Sequence, residues 1–144
     1  MAPCWAAMVA FAESLAMCPD FVIPPRGPIA WAARESSKPS RNSCERWVLH
    51  ATPDWTQHHL NTQQQQAAQD LLLEFARMSG ELPLVQYLGA YCWKFARVVR
   101  PLGEPCVWDV DRRIGACGDW CIGARIEAAW QSGTALGNAI ANEL

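Results

Sequence analysis

The sequence predicts an α+β fold, a mixed or antiparallel sheet with covering helices, closed by a strand and a helix at the C-terminal end. Three observations predict it. Short apolar or aromatic runs recur along the chain, bounded by Pro, Gly and Ser. One long segment in the middle carries apolar residues at helical spacing. The last thirty or so residues read as an apolar run, a Gly-Asp turn and a small-residue helix.

In chain order, Cys4 to Phe11 is apolar and suits a buried strand, although its Ala content also suits a helix. Pro19 to Pro28 holds Pro24, Pro25 and Gly27 and reads as a connecting loop. Ile29 to Ala33 is a short apolar segment, Glu35 to Ser43 an exposed polar loop, and Trp47 to Ala51 a strand. Thr52 is placed to cap a helix that has Pro53 in its first position. Thr62 and Gln65 form a second candidate capping box. Ala67, Leu71, Leu72, Phe75 and Met78 then follow at helical spacing, and Gly80 and Pro83 end that helix. Val85 to Phe95 is an aromatic-rich strand. Pro101 to Pro105 turns, Cys106 to Trp108 is a short strand, Asp109 to Arg113 turns, and Ile114 to Cys117 is the last strand. The final helix is expected from about Ala124, with Gly133 and Gly137 on one side allowing close packing.

The chain has 144 residues, 51% of them hydrophobic, with eight Trp. That is enough for one domain with a sizeable core and is unlike a disordered chain. A net charge of -2 offers no surface for nucleic acid. No apolar run reaches the length of a membrane span, and no basic start marks a signal peptide. Seven Cys, an odd number, without such a leader point to reduced thiols and a cytoplasmic location rather than a disulfide framework.

Candidate chemistry concentrates in Cys117-Gly118-Asp119-Trp120-Cys121 and the helix start at Arg125-Ile126-Glu127. An acidic side chain at a strand end accepts hydrogen bonds from sugar-type hydroxyls. A helix N-terminus presents free N–H groups to an anion. Together they suggest one wall of a nucleotide-type cofactor site. Elsewhere the blander reading leads. Cys117 and Cys121 lack the second ligand pair that zinc needs, so no metal is expected. His58 and His59 are adjacent and point apart on a helix, and His50 suits a structural role. No nucleophile–base relay of a hydrolase stands out, and no catalytic residue is assigned.

Gly118-Asp119-Trp120-Cys121, Arg125-Ile126-Glu127-Ala128-Ala129-Trp130 and Ser132-Gly133 resemble the C-terminal flavin-binding segment of amine-oxidase-like flavoproteins, and among them the renalase-like FAD-dependent oxidoreductases. Ala124 and Ala128 stand where that family usually has Gly. Trp47-Val48-Leu49-His50-Ala51-Thr52, Tyr91-Cys92-Trp93-Lys94-Phe95-Ala96 and Pro3-Cys4-Trp5-Ala6 are similar to further family segments. The likeness spans almost all of these residues but only the C-terminal half of a family member. It therefore implies a substrate-domain part over residues 1–112 and, over 113–144, the final strand and helix of an FAD-binding domain.

The resemblance implies hydride transfer from an amine or a dihydro-nicotinamide to flavin, which dioxygen reoxidises to give hydrogen peroxide. FAD is the implied cofactor; a small-molecule substrate and dioxygen are the implied partners. Gly118, Asp119, Trp120, Arg125, Ile126 and Glu127 are the implied cofactor-binding residues, and Trp93 and Lys94 the implied substrate-pocket residues. No Gly-x-Gly-x-x-Gly turn occurs in the sequence to cradle a pyrophosphate. The chain on its own is thus expected to be inactive. A non-catalytic binding module, or a truncated remnant without flavin, stays open as the alternative.

Overall fold

A computed structural model describes residues 1–16, 19–41 and 43–143. The fold is α+β. Seven strands, β1 (Ala2–Phe11), β2 (Phe21–Val22), β3 (Ile29–Arg34), β4 (Arg46–Ala51), β5 (Val85–Arg97), β6 (Val107–Asp109) and β7 (Ile114–Ala116), alternate with α1 (Pro53–His58), α2 (Gln64–Ser79), α3 (Asp119–Ile122) and α4 (Ile126–Ala141). The chain forms two compact units, one of Pro3–Lys94 and one of Met1–Ala2 with Phe95–Leu144. The division drawn from sequence at 112/113 falls inside the second, in the turn between β6 and β7.

In the first unit an antiparallel sheet runs in the order β2-β3-β4-β1-β5. Period-two alternation sorts its two faces. Trp5, Ala7, Val9 and Phe11 of β1 and Trp47, Leu49 and Ala51 of β4 all point into the core. Their register sets Ala7 opposite Leu49 and Val9 opposite Trp47. Helix α2 covers that face with Ala67, Leu71 and Phe75, the apolar stripe its spacing predicts. Phe75 lies 5.1 Å from the Trp47 ring and 6.5 Å from Phe11, centroid to centroid. Gly80 closes the helix at φ 85°, a conformation with little steric cost for glycine alone.

Polar groups in this unit are paired rather than stranded. Glu45, 5% exposed, accepts from Arg34 Nε at 3.1 Å and from Trp47 Nε1 at 2.7 Å. Arg34 also donates to Asp20 and to the Leu15 carbonyl, and its guanidinium sits 5.1 Å over the Trp47 ring. Buried Thr56 of α1 accepts the backbone N–H of Trp5 at 3.1 Å, tying α1 to β1. Thr52 caps α1 as its sequence predicts, accepting from Trp55 N–H.

Several expectations need correction. The capping box at Thr62 does not form: Thr62 N–H closes a turn onto His59, and α2 starts behind Gln63 with no side-chain cap. Within the Pro-rich loop, Phe21 and Val22 pair with Ala33 and Ala32 as a short edge strand. A 3-10 turn forms over Glu35–Ser37 in the expected polar loop. The turn after Gly118 is a one-turn helix, and α4 starts at Ile126 because Arg125 is still extended (φ -156°, ψ 155°). Gly133 and Gly137 have no neighbour within 4 Å of an added β-carbon, so neither serves close packing.

Among the described residues no helix is long and apolar enough to cross a membrane. Among the described residues Cys44, Cys92, Cys106, Cys117 and Cys121 are free thiols; Cys18 lies outside the described residues.

Candidate functional site

In the second unit a cleft of about 460 Å³ is lined by Ala96, Arg97, Asp119, Ala124, Arg125, Ile126 and Ala129. Three of the six residues read from sequence as cofactor-binding therefore meet in one concavity: Asp119 from the start of α3, and Arg125 and Ile126 from the start of α4. Gly118 and Trp120 stand behind them. An added β-carbon at Gly118 would lie 2.6 Å from Trp120 Nε1, so only glycine lets the indole ring fold over this turn. Glu127 is exposed in the first turn of α4 and is not part of the lining.

What fixes the turn is Ser132, fully buried one helical turn and a half along α4. Its hydroxyl accepts Gly118 N–H at 3.0 Å and donates to the Pro105 carbonyl at 2.6 Å. A second clamp comes from the Pro101–Pro105 segment: Leu102 and Gly103 N–H donate to the Trp120 and Cys121 carbonyls, both at 3.0 Å. Asp119 is thus set on a backbone anchored on both sides, while its carboxylate stays half-buried at the cleft wall.

The electrostatics of the cleft are mixed. Helix α4 is 16 residues long and has no side-chain cap; Ala128 and Ala129 N–H turn back to the Arg125 carbonyl. Ile126 and Glu127 N–H lead the helix with no acceptor among the described residues. Those N–H groups, with Arg97 and Arg125, suit an anionic group. Asp119 suits a hydroxyl donor, and Ala96, Ile126 and Ala129 offer apolar contact.

Ala124 and Ala128 part company. Ala124 lies on the cleft wall, in an unstrained backbone without positive φ. Ala128 is fully buried in the interior of its unit, so its methyl is not presented to the cleft.

Trp93 and Lys94 belong to the first unit, near the end of its part of β5. Both are exposed, and Trp93 meets Tyr91 edge-on at 4.8 Å. Neighbouring Cys92 faces the core, where burial raises its thiol above the usual range. His50 packs on Trp31 at 5.0 Å on the sheet face away from α2, and burial lowers its pKa.

Sequence reasoning missed Arg97 and Ala96. Their signal was a cation just past an aromatic strand, with nothing local to tie it to a motif 22 residues on. Ser132 was quoted as part of a motif, but its clamping role needed the fold. Among the described residues no group of three or more His, Cys, Asp or Glu side chains is placed to hold a metal ion. No protein-family model matches the chain.

Proposed function

We propose that the chain supplies the flavin-ring and ribityl wall of an FAD-dependent oxidoreductase of the renalase-like or amine-oxidase type, acting in the cytoplasm. The observation that carries this reading is the convergence of Asp119, Arg97, Arg125 and the open N-terminus of α4 on one cleft. A hydroxyl-accepting carboxylate beside an anion-friendly helix start is the donor set that a ribityl chain joined to an electron-rich ring calls for.

The residues present fit that end of the cofactor. Asp119 would hold ribityl hydroxyls, and the Ile126 and Glu127 N–H groups would face the ring's electron-rich edge. Nothing in the sequence fits the pyrophosphate, since no Gly-x-Gly-x-x-Gly turn occurs; a dinucleotide-binding half would have to supply that cradle. FAD, when bound, supplies the hydride acceptor and its return to dioxygen. The chain's own part is placement: Ser132 holds the Gly118–Asp119 turn and Trp120 covers it, while Trp93 and Lys94 of the first unit are substrate contacts on the family resemblance alone. The substrate class is an amine or a dihydro-nicotinamide.

A binding module without flavin is the second reading, favoured by that missing phosphate turn. Joining the chain to a dinucleotide-binding half that carries the turn, and measuring flavin uptake, separates the two. Stoichiometric flavin that depends on Asp119 supports the oxidoreductase; a colourless fusion supports the module.

A further inference from the structure

A second cleft, of about 510 Å³, opens in the same unit between the β6–β7 hairpin and the C-terminal half of α4. Its walls are apolar, formed by Trp108, Val110, Leu136 and Ile140, and its rim carries Arg113 and Glu143. That volume lies within the range of small-molecule sites, roughly 300–1,000 Å³. Gly115 brings hairpin and helix together, for a β-carbon there would lie 2.6 Å from Leu136 Cδ1.

Two features of this cleft are unresolved by the fold itself. Arg113 is held at φ 54°, in the left-handed region that a long side chain seldom adopts. Arg113 and Glu143, opposite in charge on one rim, pair neither with each other nor with another described side chain.

We propose that this cleft binds an apolar, preferably aromatic, α-amino acid. The side chain enters between Trp108, Leu136 and Ile140. Arg113 takes the carboxylate and Glu143 takes the ammonium group. A zwitterion with an apolar body satisfies both rim charges at once, which neither a fatty acid nor a simple amine does.

Calorimetric titration of the full chain with L-phenylalanine, phenylacetate and phenethylamine tests this. L-Phenylalanine is expected to bind one to one, roughly tenfold or more tighter than either half-molecule, since each lacks one charge-assisted contact. Arg113→Asn removes the guanidinium while suiting the left-handed turn, so the variant stays folded. It is expected to bind L-phenylalanine no better than phenethylamine, with phenethylamine itself unaffected. Glu143→Gln is expected to reduce L-phenylalanine to the level of phenylacetate. No saturable heat with L-phenylalanine, or an Arg113→Asn chain that binds it like the parent, overturns the proposal.

Discussion

Asp119 is held in place before any ligand arrives. Its turn is clamped by Ser132 from α4 and by the Leu102 and Gly103 N–H groups, so little ordering is left to the moment of binding. In a chain joined to a dinucleotide-binding half, Asp119→Ala is expected to weaken FAD by about 1.5–3 kcal/mol, the worth of hydrogen bonds to a charged acceptor. A flavin titration checks it, and unchanged affinity would reduce Asp119 to a turn former. His50 gives a prediction of another kind. Burial lowers its pKa from the ordinary 6.5, so the folded state prefers the neutral ring. Stability is therefore full above about pH 6.5 and falls as the pH drops from there towards the lowered value, where the unfolded chain takes up the proton first. His50→Phe keeps an aromatic ring against Trp31 and is expected to flatten that decline. Thermal unfolding at about pH 7.5 and about pH 5.5 measures it; parallel declines in parent and variant would contradict it.

At the scale of elements, side chains that meet neighbours close in sequence were legible and those that meet distant ones were not. The Thr52-Pro53 start of α1, the stripe of α2 and the Gly80 stop all depend on residues within a turn or two, and each forms as its residues predict. Thr62 has equally good local credentials, yet its backbone is taken by His59, and α2 begins one residue later. Small glycines on α4 looked like a packing face, but Gly133 and Gly137 border open space while Ala128 and Ser132 carry the buried side. The polar tie between Thr56 and Trp5 spans 51 residues and leaves no mark in the sequence. Thr56→Val keeps the shape but orphans the Trp5 N–H, and is expected to cost about 1–3 kcal/mol. Urea unfolding would show this as a lowered midpoint with an unchanged slope. Glu45 sits under a heavier load, accepting from both Arg34 and Trp47. Glu45→Ala takes a buried carboxylate from both the largely buried Arg34 guanidinium and the Trp47 N–H, and a loss of about 3–5 kcal/mol is expected. A loss below about 1 kcal/mol in the same unfolding assay would place that pair among weak surface bridges.

For the whole molecule, the α+β class with an antiparallel sheet follows from strand alternation and one amphipathic helix, both visible in sequence. The strand order β2-β3-β4-β1-β5 is not, because a long β5 joining beside β1 is decided by burial of Leu88, Ala90 and Cys92 rather than by any local pattern. Likewise the grouping of Asp119 with Arg125 and Ile126 could be read from sequence, whereas Arg97, which lines the same cleft, reaches them only through the fold of the second unit. The proposed flavin wall is most directly tested by titrating FAD into three proteins: the chain alone, the chain fused behind a dinucleotide-binding half with its Gly-x-Gly-x-x-Gly turn, and that fusion with Asp119→Ala. The chain alone is expected to stay colourless, the fusion to hold one flavin per chain, and the Asp119→Ala fusion to bind roughly tenfold to a hundredfold more weakly. A fusion that folds yet takes up no flavin, or one whose affinity ignores Asp119, would contradict the reading of this cleft as a flavin wall.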